Sequence, residues 1–129
     1  MTDVTYAVID EMETNESGIA RKARAALGVT AWGMQVMELP PDFGDYPEHR
    51  HDASAEDAGH EEVYIPLEGS GTLIAGDESF ELRPGVMARV GPEQLRRIVA
   101  GPEGIRFVAL GGVVGAHRPT SWTELSDPA

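Results

Sequence analysis

Two glycine-proline pairs, Gly91-Pro92 and Gly101-Pro102, cut the second half of the chain into apolar runs too short for ordinary helices. Proline offers no backbone donor and glycine accepts turn conformations freely, so each pair reads as a point where the chain turns. The pieces they separate are "VMARVG", "LRRIVAG" and "GIRFVALGG", each the length of a strand. The same punctuation runs through the whole molecule, which has 15 glycines and nine prolines among 129 residues. Short strands recurring about every ten residues predict an all-β sandwich or jelly roll.

Earlier segments fit this reading. "VTAWGMQVMEL" (29–39) predicts a strand that Pro40-Pro41 ends. "EVYIPLEG" (62–69) predicts a strand in which Pro66 marks an edge or a bulge. "GTLIAGDESFEL" (71–82) predicts a hairpin turning at Ala75-Gly76-Asp77-Glu78. One helix is expected, in "SGIARKARAALG", with Ser17 as start signal and Gly28 as stop. Residues 42–59 read as an acidic loop, and the tail "HRPTSWTELSDPA" as a turn or helical stub that packs Trp122. Trp32, Met34 and Met37 are expected in the core, with the wall of an apolar cavity as their other use. The length suits one domain: a helix and strand over 1–38, a barrel over 39–112 and a tail over 113–129.

The chain has no cysteine, which removes disulfides and thiolate metal sites. Its formal charge of −12 repels phosphate backbones and anionic lipid surfaces, so neither nucleic acid nor a membrane is an expected partner. No apolar stretch approaches the roughly 20 residues of a membrane span. The acidic N-terminal segment lacks an apolar signal core, which predicts a cytoplasmic protein.

Chemistry concentrates in "YPEHRHDASAEDAGHEEVYIPLEGSG" (46–71), which holds three of the four histidines. His49 and His51 are two apart, so an extended backbone sends both imidazoles from one face. His60 and Glu62 repeat that spacing, with Glu61 turned away. Imidazoles and a carboxylate on one face suit a divalent transition metal such as Fe, Mn, Ni, Co, Cu or Zn. The plainer use of histidines in a polar loop is solvation.

"PEHRH", "EEVYIPLEGSGTL", "FELRPG" and "VGPEQLRR" resemble the cupin superfamily, most closely small single-domain bacterial cupins of actinobacterial type. The resemblance spans about 39–112. It implies a double-stranded β-helix, or jelly-roll barrel, with a short N-terminal helix, and pairing as a homodimer through edge strands. Its first motif makes His49, His51 and Glu62 the expected metal ligands, with Glu62 and Gly69 correctly spaced. Ten residues between His51 and Glu62, in place of three or four, form an insertion. The second motif is lost. Gly91, Glu93, Arg96 and Ala100 stand where the family has proline, glycine, histidine and asparagine.

Arg96 therefore occupies the position of the family's fourth ligand, and a guanidinium has no lone pair for a metal. Three arrangements stay open. The metal stays on His49, His51 and Glu62 while Arg96 clamps an anionic substrate; His60 replaces the lost ligand; or Arg96 pairs with Glu62 and no metal binds. Tyr64 shares the face of Glu62, either lining the pocket to donate to a substrate or sitting in the core with its hydroxyl satisfied. Arg97 and His117 read as surface residues. The resemblance implies a small-molecule ligand or substrate. Two functions follow: a metal-dependent enzyme of dioxygenase, isomerase or lyase type acting on a small anionic molecule, or a metal-free binding or structural cupin.

Overall fold

A computed structural model of the chain describes residues 2–52, 55, 58–119 and 124. Its strands are β1 (Ala20–Arg21), β2 (Gly33–Leu39), β3 (His60–Ala75), β4 (Glu78–Leu82), β5 (Ala88–Val90) and β6 (Arg97–Val113). They form one antiparallel sheet in the order β1-β2-β6-β3-β4, with β5 paired to β3. A 3-10 turn (Ile9–Glu11) and one helix, α1 (Ala23–Leu27), precede β2. No helix among the described residues is long and apolar enough to cross a membrane.

β3 and β6 have 16 and 17 residues, and straight strands of that length would run about 50 Å. Yet Tyr64 and Leu73 of β3, and Ile98 and Phe107 of β6, belong to one buried cluster. The two strands must therefore bend together, and the ladder shows where. Its register shifts between Pro66 and Glu68 and again between Gly69 and Gly71. Gly69 lies opposite Ile105 while Gly71 lies opposite Ala100, so Gly101, Pro102, Glu103 and Gly104 bulge out of β6. Gly69 (φ 73°) is needed there, because a Cβ on it would stand 2.1 Å from the Gly104 carbonyl oxygen.

The expected turn at Gly101-Pro102 is corrected by this ladder. "LRRIVAG" and "GIRFVALGG" are two halves of one bent strand, and Pro102 sits in the bulge, where no ladder donor is required. Pro66 does mark a bulge, and the 75–78 hairpin forms with Ala75 opposite Glu78.

The helix is shorter than expected. Ala20 and Arg21 pair with Met37 and Val36 as β1, leaving only Ala23–Leu27 helical before Gly28 closes the turn at φ 72°. Arg21 reaches Glu38 on β2 from this strand position, so a cross-strand ion pair overrides the alanine-rich propensity. β2 begins at Gly33 rather than residue 29, and Trp32 is 47% exposed, outside the core. Met37 is buried. Trp122 lies outside the described residues.

Candidate metal centre

The loop before β3 carries His49 and His51, and two backbone contacts fix it against the loop before β6. His49 and Arg96 form an isolated antiparallel bridge, each amide donating to the other's carbonyl at 2.9 Å. The His51 amide donates to the Pro92 carbonyl at 2.7 Å. Alternation along β3 then turns Glu62 and Tyr64 inward and Glu61 outward, where it meets Arg89 at 2.7 Å.

Two donors and two imidazole nitrogens converge on one oxygen, Oε1 of Glu62. Arg96 Nη2 lies at 2.6 Å, the Tyr64 hydroxyl at 2.8 Å, His51 Nε2 at 2.9 Å and His49 Nε2 at 3.5 Å. Burial pushes the Glu62 carboxyl up, but the hydrogen bonds from His49, Arg96, Tyr64 and His51 together outweigh it. The result is a carboxyl held well below its usual range. His49 shifts the other way: its bond to Glu62 raises it, against an opposing effect of burial. Burial and the Glu62 charge push the Tyr46 hydroxyl up to about 12, and burial raises Tyr64 as well.

Arg96 is 0% exposed. Nη1 donates to the carbonyls of Gln94 (2.8 Å) and Gly91 (3.3 Å), and Nε lies 3.3 Å from the Tyr64 hydroxyl. Each guanidinium nitrogen has a fixed acceptor. Tyr64 is likewise 0% exposed, with its ring edge-on to Phe107 at 5.6 Å. Neither residue lines the cavity. Of the two readings of Tyr64, the buried, satisfied hydroxyl is the arrangement observed.

His49, His51 and Glu62 each offer one ligand atom, and the three atoms lie within 4.8 Å of one another. Two ligands about 2.1 Å from a shared ion, separated by angles between 90° and tetrahedral, stand about 3.0–3.4 Å apart. The 2.9 Å and 3.5 Å separations to Glu62 fall about 0.1 Å outside that range on either side, so small side-chain shifts would bring both within it. His49 Nδ1 lies 2.9 Å from the Pro47 carbonyl. A carbonyl only accepts, so Nδ1 carries the proton: the neutral ring then has at Nε2 the lone pair a metal ligand needs, and only the protonated ring donates from Nε2 to Glu62. The donor set fits a divalent transition metal.

The cluster forms one wall of a cavity of about 570 Å³, which Met34, Gln35, Tyr46, Arg50, His60 and Gly111 also line. His60 reaches this cavity, on the face shared with Glu62, but its ring is outside the group of converging ligand atoms. Tyr46 escaped the sequence reading. Its ring lies 5.7 Å from that of His49 and packs on the core. The signal was an aromatic residue just before proline in an otherwise polar loop. His117 is exposed, near Glu124.

No protein-family profile matches the chain, and no curated protein does. Solved structures do match. A cupin protein from Bacteroides fragilis superposes over 100% of both chains at 21% identity, with a TM-score of 0.75. This chain has the cupin fold. A sugar phosphate isomerase from a cupin superfamily of Silicibacter pomeroyi matches 82% of this chain and 74% of its own at 16% identity, TM-score 0.65. A structure described as DMSP lyases matches 67% of this chain and 41% of that one at 18% identity, TM-score 0.55. At these identities the likeness establishes the jelly roll. The chemistry of this chain rests on its own residues.

Proposed function

We propose that this cupin holds a divalent transition metal (iron, manganese, nickel, cobalt, copper or zinc) through His49, His51 and Glu62, and acts on a small anionic molecule beside it. The observation that carries this reading is the convergence of two imidazole nitrogens and a carboxylate oxygen within 4.8 Å at a cavity wall. A bound ion would act as a Lewis acid on an oxygen of that molecule. The chain's own residues do the rest. Tyr64 and Arg96 hold the Glu62 carboxylate ionised and in place. Arg96 serves as a positioning residue that acts through Glu62, replacing the direct substrate clamp expected from sequence. His60 and Arg50 face the bound molecule from the cavity wall, and Tyr46 and Met34 supply apolar surface. Isomerase and lyase chemistry, named for two proteins of the same fold, and dioxygenase chemistry are the reaction types this arrangement suits.

Elemental analysis of tag-free protein, grown with added iron, manganese, nickel, cobalt, copper and zinc, tests the reading. About one equivalent of metal is expected, and none in a His49→Ala/His51→Ala variant. A wild-type protein that carries no metal and takes up none from an excess of these ions, with or without formate, would sink it. A second reading, a metal-free binding cupin, draws support from the 2.6 Å Arg96–Glu62 pair, which balances the carboxylate without an ion. A melting scan separates the two, since a chelator lowers Tm only if the native protein holds an ion.

We also propose a homodimer. β4 ends the sheet as an edge strand and leaves Phe80 46% exposed, a surface that a second copy would cover. Light scattering on a sizing column would give twice the monomer mass; a monomer mass at high concentration counts against it.

A further inference from the structure

Arg96 differs from the other groups around Glu62 in what it can do when an ion arrives. His49 and His51 can present Nε2 lone pairs to a cation, and the Tyr64 hydroxyl is neutral. Arg96 stays charged under all ordinary conditions and offers no lone pair. It also has little room to retreat. Its side chain has no exposed surface, its Nη1 is held by the Gly91 and Gln94 carbonyls, and its backbone is bridged to that of His49. The positive charge 2.6 Å from Glu62 Oε1 is built into the site.

The charges can be counted. Without an ion, neutral imidazoles with Glu62 and Arg96 sum to zero. A divalent ion on His49, His51 and Glu62 brings the site to +2. Like charges at this range, partly shielded from water, repel strongly. Arg50, the arginine among the cavity-lining residues, is already paired with Asp52 at 2.7 Å, so the excess belongs to the ion and Arg96. An oxyanion entering the cavity reduces it to +1. Each ligand then improves the site for the other, and the coupling is reciprocal.

We infer that Arg96 is a built-in counter-cation that makes metal binding weak alone and cooperative with a small oxyanion, so that the substrate class is an oxyanion-bearing molecule that completes the metal site, with formate as the probe. This inference rests on the proposed metal reading and adds the substrate class and the order of assembly.

The test is calorimetric titration of metal-stripped, tag-free protein with Co2+, with and without formate, with the visible absorption of Co2+ as a second readout. Wild type is expected to bind Co2+ at least tenfold more tightly in saturating formate, with a change in the cobalt spectrum. Arg96→Lys, which keeps the charge, is expected to retain this coupling. Arg96→Gln is expected to bind Co2+ at least tenfold more tightly than wild type without formate and to lose most of the coupling. His49→Ala/His51→Ala should bind no Co2+ at the cluster. If Arg96→Gln does not fold, the wild-type titration with and without formate still decides. Tight Co2+ binding by wild type, unmoved by formate, overturns the inference and leaves the metal reading standing. Failure of wild type and both Arg96 variants to bind Co2+, with or without formate, overturns both.

Discussion

Glu38 on the outer face of β2 and Glu62 on the inner face of β3 are both carboxylates gripped by arginine. At Glu38 the partners divide the work. Arg21 bonds one oxygen and Arg106 the other, and Arg106 also reaches Asp10, whose side chain is 71% exposed. This network ties the N-terminal segment to the sheet. At Glu62, four groups crowd a single oxygen, the arginine is fully buried, and two of the groups are imidazoles beside a cavity. The lesson is that an arginine–carboxylate pair says little by itself. Burial, the chemistry of the other donors and access for a ligand separate a surface tie from a candidate metal centre.

The sharpest contrast comes from truncating each arginine. Arg96→Ala strands a mostly buried carboxylate and leaves the Gln94 and Gly91 carbonyls without their donor. It should cost about 3–5 kcal/mol, a loss of roughly 10 °C or more in Tm by calorimetry. A loss below about 1 kcal/mol would put Glu62 in the same class as Glu38.

Ion addition should come next. A metal ion at 100 times its Kd should stabilise metal-stripped protein by about 2.7 kcal/mol, and the same ion should leave His49→Ala/His51→Ala unmoved. Equal stabilisation of both proteins would move binding to the acidic surface.

Stability against pH should separate the clusters further, because the inner one holds groups shifted in opposite directions. Glu62 is lowered, so its contribution is complete above the ordinary carboxylate value of 4.5 and is lost as pH falls through its depressed folded value. His49 is raised, so its contribution is complete below 6.5 and is lost as pH rises through its folded value. Glu38 is lowered as well, where burial is outweighed by bonds from Arg106 and Arg21, and Asp10 is lowered by its bond from Arg106. The acid limb therefore belongs to both clusters and the limb above pH 6.5 to the inner one alone. In metal-stripped protein, His49→Gln should flatten the upper limb and soften the acid limb by the share His49 has in holding Glu62 low; an unchanged upper limb would rule out this role for His49.

The smallest effect is expected at Arg106→Ala. Its partners are partly or largely exposed, so the cost should be about 1 kcal/mol or less, reduced further by salt. A loss as large as that of Arg96→Ala would erase the distinction between the two clusters.

How much of this was legible from sequence follows from the range of each signal. That His49 and His51 share a face was readable because alternation along an extended chain is local; joining Glu62 to them took the family resemblance, since alternation alone pairs Glu62 with His60, and the turn at Ala75-Gly76-Asp77-Glu78 is set by its own residues. The continuity of β6 was not readable. Gly101-Pro102 has the composition of a turn, and only the register with Gly69 and Gly71 makes it a bulge. Ala20 and Arg21 look helical until β2 is beside them. Arg96 was identified as the departure from the family's ligand set, but its burial depends on carbonyls supplied by Gly91 and Gln94 and on a bridge to His49. Tyr46 was missed because packing on the core, rather than any periodicity, brings it to the cavity.

The central claim is that His49, His51 and Glu62 hold one ion. The decisive test is anomalous diffraction at the cobalt absorption edge from a crystal of tag-free protein soaked in Co2+ and formate. One strong peak is expected about 2.1 Å from Nε2 of His49, Nε2 of His51 and a Glu62 carboxylate oxygen. No peak at the cluster, with the Arg96–Glu62 contact unchanged, would contradict it.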